Sequence, residues 1–365
     1  MINYITEWSF LVELFARDIY ERAKKVMGDR MDSDDLLSNA SLKIVVAGVG
    51  GGGCNTIKRL VAMKLTGPQL IALNTDHIHL ETVPKSCKRI LIGDKITKGL
   101  GAGGEPDVAR RAAEASRERI TEALKGADIL FLCAGMGGGT GTGASPIIAE
   151  IAKKEGAIVV GIVTYPFNIE RVRLHKAVGG VETLGKVCDT LVIIDNNRLL
   201  EYFPNLPIEQ AFMLADEITA RAVRGISDTL LKPSLINLDF ADLTAIMKGG
   251  GISMIAVGEG KGLDKSKEVV RNTLDHKLLD VDPAGAKGIL LHLTGGPDMT
   301  LGDANKVGET ITEQCDPNAN VIWGARMDQE YKGKLEAIAI FTGLREGPAF
   351  LGTKTDRDWG VKREY

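Results

Sequence analysis

GMGGGTGTG, residues 135–143, is the stretch of sequence that decides the fold. It lies between an apolar, strand-like run, ILFLCAG, and a segment that predicts a helix from about Ser145 to Lys154. Glycine has no side chain to hold backbone N–H groups away from a ligand's oxygens, and the amino end of a helix attracts negative charge. A glycine run of this length would cost needless backbone entropy in a simple turn. The stretch therefore predicts a phosphate-binding loop.

A second glycine run, GVGGGGCN at residues 48–55, also lies between a strand, KIVVAG, and a predicted helix. Gly48, Gly50 and Gly53 match the dinucleotide pattern G-x-G-x-x-G, for which Asp76 would be the ribose-binding acid. The run also has P-loop spacing, but its last two residues, Cys and Asn, stand where that motif needs Lys and Ser or Thr. Two such loops predict a nucleotide site, and the second run excludes a P-loop NTPase.

Short apolar strands alternate with helices from Leu42 onward, without the polar and apolar alternation of a half-exposed sheet. Such strands are typical of a parallel sheet that helices cover on both faces. The predicted helices run from about Asn55 to Met63, Pro106 to Leu124, Ser145 to Lys154 and Leu174 to Val187. Residues 42–207 are therefore predicted to form a doubly wound α/β nucleotide-binding domain.

The pattern changes after residue 207. A long helix is predicted over 208–232, with Phe212, Ala215, Ile218 and Val223 among the residues on one apolar face. Four strands and two helices follow, which predicts a smaller α+β domain over residues 233–345 and a polar tail over 346–365.

Residues 1–41 form a separate piece in this interpretation. Trp8, Leu11, Phe15 and Ile19 recur at helical spacing, and an acidic run, MDSDD, follows. The segment predicts one amphipathic helix and a linker. The helix would dock on the main domain or bind a membrane surface or a partner.

Composition bounds the class of protein. The 365 residues are 44% hydrophobic and 25% charged, which is typical of a globular protein. A net charge of −3 does not indicate the basic surface that nucleic-acid binding needs, so a nucleic-acid partner is not expected. No apolar run approaches the ~18–20 residues of a membrane span. Five scattered cysteines suggest reduced thiols, so the expected location is the cytoplasm.

The chain resembles the tubulin/FtsZ family over about residues 42–343, and the FtsZ branch most. The motifs that carry the resemblance are VGGGGCN, LNTD, KGLGAGGEP, GMGGGTGTG, PFNIE and NLDFADL. The resemblance implies a Rossmann-like GTPase domain with a parallel sheet, a long central helix and a smaller α+β domain. It also implies a self-assembling protein that forms head-to-tail filaments at a mid-cell division ring and hydrolyses GTP after assembly.

The resemblance also implies which residues hold the phosphates and ribose of GTP. Glu170 corresponds to a ribose-contacting acid, and Arg173, with Arg171 as the alternative, is its companion. Mg²⁺ is expected through the nucleotide phosphates rather than at a metal site of protein side chains. The residues implied at the nucleotide, around its phosphates and ribose, are Gly51, Gly52, Gly53, Cys54, Asn55, Asp76, Ala102, Gly103, Gly104, Gly138, Gly139, Thr140, Gly141, Thr142 and Gly143.

Three further residues are implied at the guanine base. Asp216 would accept from guanine N1–H and N2–H₂, a pairing that adenine cannot make. Phe212 would stack on the ring and Asn196 would complete the edge. The alternatives are plain core packing for Phe212 and a solvated helix charge for Asp216.

The motif NLDFADL supplies the implied catalytic residues. Asn237, Asp239 and Asp242 would reach the GTP of the neighbouring subunit and orient the attacking water. Without the resemblance, these acids are typical of a solvated loop. Ser234 departs from the family's usual glycine.

Two rival functions stay open at this point. One is a cell-shape GTPase of the same superfamily, and the other is a nicotinamide-dependent oxidoreductase, which would leave GGGTGTG without a role. The tail TKTDRDWGVKREY shows no recognisable adaptor-binding peptide, so membrane tethers are not transferred.

Overall fold

The computed structural model describes residues 42–205, 207–231, 240–275 and 282–344, together with Pro348 and Leu351. The chain divides into two units, Met1–Leu42 and Lys43–Tyr365. The predicted amphipathic helix of the first unit and most of the predicted tail lie outside the described residues.

The strands and helices follow one another along the second unit. In chain order the strands are β1 (Ile44–Val49), β2 (Gln69–Asn74), β3 (Lys88–Leu91), β4 (Ile129–Gly135), β5 (Ile158–Tyr165), β6 (Thr190–Asp195), β7 (Gly251–Lys261), β8 (Gly288–Gly295), β9 (Asn320–Met327) and β10 (Lys334–Thr342). The α-helices are α1 (Gly50–Ala62), α2 (His77–Glu81), α3 (Asp94–Thr97), α4 (Pro106–Ala115), α5 (Arg117–Leu124), α6 (Thr140–Lys154), α7 (Val172–Gly185), α8 (Asn196–Tyr202), α9 (Ile208–Leu231), α10 (Phe240–Met247), α11 (Lys265–Asp275) and α12 (Leu301–Thr312).

The first six strands form a parallel sheet in the order β3-β2-β1-β4-β5-β6. Strands β1 and β6 are buried along their whole length, because helices cover both faces. The strand order reverses between β1 and β4, so the chain leaves these neighbours in opposite directions and a crevice opens beyond their carboxyl ends. The predicted doubly wound architecture is confirmed.

The smaller α+β part continues the same sheet, a feature that the sequence did not predict. The first three residues of β7 pair in parallel with β6, and its later residues pair antiparallel with β10. Strand β10 then pairs antiparallel with β8, and β8 pairs in parallel with β9. The result within the described residues is one ten-stranded sheet. The length of β7 allows this, because one strand serves both halves.

Two predicted helix starts were wrong by about five residues. Helix α1 begins at Gly50 instead of Asn55, and α6 begins at Thr140 instead of Ser145. Both helices start inside the glycine runs, where low helix propensity is overridden by packing against the sheet. The predicted helix from Pro106 to Leu124 is interrupted at Ser116, whose hydroxyl accepts a hydrogen bond from the Gly93 N–H.

Four short helices, α2, α3, α8 and α10, were not predicted. They have four to eight residues, too few for a 3.6-residue period to show in the sequence. Asp76 and Asp195 cap α2 and α8, since their carboxylates accept from His79 N and Asn197 N. None of the described helices combines the length and apolar character of a membrane span.

Candidate active site

A cavity of about 530 Å³ opens at the carboxyl ends of the parallel strands, where β1 and β4 diverge. Its size lies within the range of small-molecule sites. The predicted site residues that line it are Gly51, Gly52, Asn55, Asp76, Ala102, Gly103, Gly138, Gly139, Thr140, Gly141, Glu170, Arg173, Asn196, Phe212 and Asp216. The fold therefore gathers residues from seven separate stretches of sequence around one space.

Two helix amino ends form one end of this cavity. Helices α1 and α6 both lack an acidic residue in the first turn, and neither has a side-chain hydrogen bond at its cap. Their first backbone N–H groups are therefore available to an anion, and both helix dipoles favour negative charge here. This end of the cavity is suited to phosphate groups.

Several glycines of the two runs serve helix packing rather than ligand contact. A Cβ on Gly53 would lie 2.4 Å from the carbonyl oxygen of Cys133, and one on Gly143 would lie 1.9 Å from that of Pro106. A side chain at either position would force α1 from the sheet or α6 from α4. Gly50 has a different requirement, because its φ of +72° lies in the left-handed region.

Besides Gly104, four residues predicted at the nucleotide do not line the cavity, and these four support its wall. They are Gly53, Cys54, Thr142 and Gly143. The buried Cys54 thiol accepts from the Asn74 side-chain amide, and the Thr142 hydroxyl accepts from the Gly137 N–H. Burial raises the pKa of Cys54 to about 12, so the thiol stays protonated and unreactive.

The loop at residues 99–105 crosses the phosphate end. Ala102 is buried against Gly139, on which a Cβ would lie 2.9 Å from the Ala102 Cβ. Gly103 lines the cavity, whereas Gly104 stands outside it with open space around its α-carbon. A hydrogen bond of 2.7 Å between the hydroxyls of Thr75 and Thr140 ties the end of β2 to the second glycine run.

Glu170 and Arg173 form the side wall. Arg173 donates to Glu170 across 2.6 Å, and both line the cavity. Glu170 also accepts from the Phe167 N–H, which fixes its carboxylate at the start of the turn. Arg171, the alternative to Arg173, is exposed and does not line the cavity.

The other end of the cavity is built from side chains of the long helix α9. Phe212 is 43% exposed and meets the buried Phe167 edge to face at 5.1 Å. Phe212 also lines the cavity, and at this exposure its ring is not part of the buried core. Asn196 is buried, and its Oδ1 has no hydrogen-bond partner among the described residues. A buried acceptor without a partner can accept a hydrogen bond from a donor group of a ligand.

Asp216 is the most perturbed acid of the site. Burial raises the pKa of its carboxyl to about 7, and it does so against the lowering effect of Arg59 and Lys58. A side-chain hydrogen bond from Asn55 also favours the ionised form. The carboxylate is therefore poised to ionise near neutral pH when a ligand supplies donors.

Sequence reasoning missed three polar residues that line the cavity. Asn74 ends β2, Thr164 lies one residue before the end of β5, and His79 lies on α2 beside Gly51. Burial is the main cause that lowers the pKa of His79. The positions of Asn74 and Thr164 at strand ends were a usable signal, because ligands of open α/β sheets lie beyond the carboxyl ends of the strands.

Of the implied catalytic residues, Asp242 lies in the part of the chain that the structure describes, and it is far from this cavity. Asn237 and Asp239 fall outside the described residues. Asp242 lies in the first turn of α10 and is half-buried. The far end of α10 is tied to the amino end of β6, since Thr190 donates to the Met247 carbonyl. Asn196 follows the carboxyl end of β6, so α10 and the cavity lie at opposite edges of the sheet.

Comparisons with known proteins agree with this architecture. Residues 43–204 match the Tubulin/FtsZ family, GTPase domain, and residues 251–345 match the FtsZ family, C-terminal domain. Cell division protein FtsZ 2 of Methanocaldococcus jannaschii is 55% identical over 316 residues, which cover 86% of this chain and 83% of that protein. The chain therefore belongs to the tubulin/FtsZ family, and it is a GTPase of that family.

Two solved structures share this fold at different levels of sequence identity. The structure titled "FtsZ dimer, empty" from M. jannaschii has a TM-score of 0.83 and 41% identity, with 92% of this chain and 98% of that chain covered. CetZ2 from Haloferax volcanii has a TM-score of 0.70 and covers 87% of this chain and 95% of its own, but at 19% identity it shares the fold alone. The nicotinamide-dependent alternative is wrong, because the matched family is one of GTPases.

Proposed function

We propose that this chain assembles head to tail into filaments of a cell-division ring, and that each GTP is hydrolysed between two subunits. The observation that carries the proposal is the separation of the two halves of the active site. From Asp216 to Leu231 the helix α9 rises roughly 22 Å, at 1.5 Å per residue. Acids beyond the end of α9 would therefore reach the GTP of a second copy rather than their own.

The binding half of the site would hold GTP along the whole cavity. The amino ends of α1 and α6 would take the phosphates, Glu170 and Arg173 the ribose, and Asp216, Asn196 and Phe212 the guanine. Mg²⁺ would arrive with the phosphates and neutralise part of their charge. The backbone and side chains of this chain would orient the terminal phosphate toward the neighbour.

The hydrolytic half would come from the neighbour's residues 237–242. Asp239 and Asp242, with Asn237, would position the attacking water in line with the terminal phosphate and polarise it. Phosphoryl transfer needs mainly such positioning and charge stabilisation, so a carboxylate misplaced by an absent neighbour would leave hydrolysis slow.

Exposed apolar residues around the cavity support a second copy as the occupant of this surface. Ile78, Leu100, Ile169 and Val172 are 69–83% exposed, and each lines the cavity or adjoins a residue that does. At the other end of the molecule Phe240 is 37% exposed, two residues before Asp242. Apolar rims of this kind mark protein interfaces. The solved M. jannaschii FtsZ structure, at 41% identity, is itself described as a dimer.

The role in division rests on the similarity to cell-division proteins at 55% identity, against 19% for CetZ2. A fluorescent fusion in dividing cells separates the two roles. A band at the division plane agrees with the proposal, whereas a distribution that follows cell shape and ignores division contradicts it.

The test of catalysis between subunits is Asp242→Ala. We expect GTP binding within about twofold of wild type and turnover lower by about 100-fold, because the variant's own cavity is untouched. Wild-type activity per subunit should rise with protein concentration in step with sedimentation, since two chains complete each site. Glu118→Ala, at an exposed acid on α5, is the matched control and should behave as wild type.

Two results would contradict the proposal. One is constant activity per subunit across a dilution that takes filaments to monomers. The other is loss of GTP binding in Asp242→Ala, which would place that carboxylate in the chain's own site.

A further inference from the structure

The loop at residues 99–105 is held differently at its two ends. At its start, backbone hydrogen bonds join it to the segment after β2, from His77 N to Gly99 O and from Gly101 N to Thr75 O. At its end, Gly103 and Gly104 both have φ in the left-handed region and open space around their α-carbons. A backbone hydrogen bond from Glu105 N to the Ala102 carbonyl closes a turn across these two glycines, but neither has a side chain that could pack. A group from outside the loop can therefore restrict the turn further.

Lys176 supplies that group from the second turn of α7. Its Nζ donates to the Gly104 carbonyl oxygen at 2.7 Å and to Glu105 Oε1 at 2.9 Å. The lysine side chain is 26% exposed, whereas that of Glu105 is 61% exposed. An ion pair that is so exposed to solvent contributes little to stability. The hydrogen bond to the Gly104 carbonyl is therefore the contact by which Lys176 holds the loop.

Helix α7 also carries Arg173, three residues before Lys176, and Arg173 pairs with Glu170 on the side wall. The lysine therefore joins two parts of the cavity that are distant in sequence, the loop at the phosphate end and the helix beside the ribose position. Leu100, Gly101, Ala102 and Gly103 of this loop line the cavity. Ala102 lies two positions, and Gly103 one position, before the residue whose carbonyl Lys176 holds.

We propose that Lys176 is a positioning residue that fixes the 99–105 loop for the terminal phosphate and so sets the preference for GTP over GDP. The inference rests on the proposed function, in which this loop meets the terminal phosphate. Lys176 acts through Gly104 and does not touch the nucleotide. Its loss lowers affinity where the terminal phosphate is present and leaves GDP, which lacks that phosphate, largely unaffected.

The test is Lys176→Met in the full chain, at a dilution where sedimentation shows monomers. Calorimetry with GDP and with a methylene-bridged GTP analogue, both with Mg²⁺, gives the ratio of the two affinities. We expect a loss of about five- to tenfold for the analogue and less than about twofold for GDP. The loss for the analogue is that of one ordinary hydrogen bond, because the lysine acts only through the loop. Lys176→Arg, which keeps a donor, should restore most of the ratio.

Two controls separate positioning from general damage. Lys186→Met removes an exposed lysine at the other end of α7 and should leave the ratio unchanged. Glu105→Gln removes only the ion pair and should stay close to wild type. In nucleotide-free protein, amide hydrogen exchange of residues 103–105 should rise in Lys176→Met and stay at the wild-type rate in Lys186→Met.

The outcomes distinguish this inference from the function on which it rests. Wild-type protein that binds neither nucleotide contradicts the proposed function. Wild-type protein that binds both, with an unchanged ratio and unchanged loop exchange in Lys176→Met, contradicts the role of Lys176 alone. If the methionine variant fails to fold, Lys176→Ala is measured in its place against the same two readouts.

Discussion

The two ends of the cavity are built from different parts of the polypeptide. The phosphate end consists mainly of backbone, the amino ends of α1 and α6 with glycines packed around them. The base end consists of side chains, with Phe212 and Asp216 projecting from one helix and Asn196 from another. A backbone site is damaged by added atoms, whereas a side-chain site is damaged by removed ones. Substitutions that add atoms should therefore weaken ligand binding most at the phosphate end. Substitutions that remove atoms should weaken it most at the base end.

The largest effect is expected for Gly139→Asp at the phosphate end. Even a Cβ there would lie 2.9 Å from the Ala102 Cβ and 3.0 Å from the Glu105 backbone nitrogen, and the carboxylate would repel phosphate. GTP affinity should fall by about 1000-fold or more, since both sterics and charge oppose binding. Equilibrium binding by filtration or calorimetry measures this.

Gly179→Asp is the matched control for that substitution. Gly179 lies on the exposed side of α7 with open space at its α-carbon, so the same change in charge and size should leave GTP affinity within about twofold. GTP affinity retained in Gly139→Asp would mean that this glycine run does not face the phosphates.

At the base end the corresponding variant removes atoms. Asp216→Ala should weaken GTP binding by about 30- to 100-fold, because guanine N1–H and N2–H₂ would lose a charged acceptor. ATP, which cannot use that acceptor, should change little, so the preference for guanine should collapse. Competition between GTP and ATP in the wild type and the variant measures this, with Glu209→Ala on the same helix as the control.

The melting temperature of Asp216→Ala, measured without ligand, tests whether this carboxylate has a structural role. Burial opposes ionisation of Asp216, so the unliganded protein should be as stable or more stable without that carboxylate. A large loss of stability in Asp216→Ala would instead indicate a structural role, and equal wild-type affinity for GTP and ATP would contradict its role in base recognition.

The same contrast explains what the sequence could and could not predict. The phosphate end was visible because backbone recognition needs glycine runs between strand and helix, a local pattern. The base end was not, because Phe212 and Asp216 become neighbours of Asn196 only through the packing of α9 on the sheet. Their role at the base was predicted through the resemblance to the family, not through spacing, and it stays a prediction.

Other features depend on tertiary contacts that no local pattern reveals. The closeness of Gly143 to Pro106 and the contact of Lys176 with Gly104 join residues that are 37 and 72 positions apart. The helix starts at Gly50 and Thr140 also follow from packing, which overrides low local propensity. Asn237 and Asp239 lie outside the described residues, so their role stays a prediction.

A smaller effect is expected for Phe212→Leu, which keeps apolar volume but removes the aromatic face. Loss of stacking on the base should weaken GTP binding by about tenfold, in the lower part of the range for base–aromatic stacking. The melting temperature should hardly change, since the ring is 43% exposed. A lower melting temperature with unchanged affinity would instead favour a packing role for this ring.

The smallest expected effect is the pH dependence of ligand affinity, which we expect from the base end because Asp216 lies there. In the free protein burial raises the pKa of Asp216 to about 7, whereas a carboxyl that accepts from guanine must be ionised. Below pH 7 binding must first remove a proton, so affinity falls as pH falls, and above pH 7 it levels off. Between pH 6 and pH 8 the ionised fraction changes by about tenfold, which sets the upper limit for this effect.

Guanosine is the ligand that isolates this effect, because it carries no phosphate whose own titration would overlap. Its affinity should rise by up to about tenfold from pH 6 to pH 8 in wild type and should be flat in Asp216→Asn, which has no titrating group at that position. The charged groups facing Asp216 are Arg59 and Lys58. A pH dependence that survives in Asp216→Asn would assign the titration to another group that lines the cavity, and His79 would be the residue to substitute next.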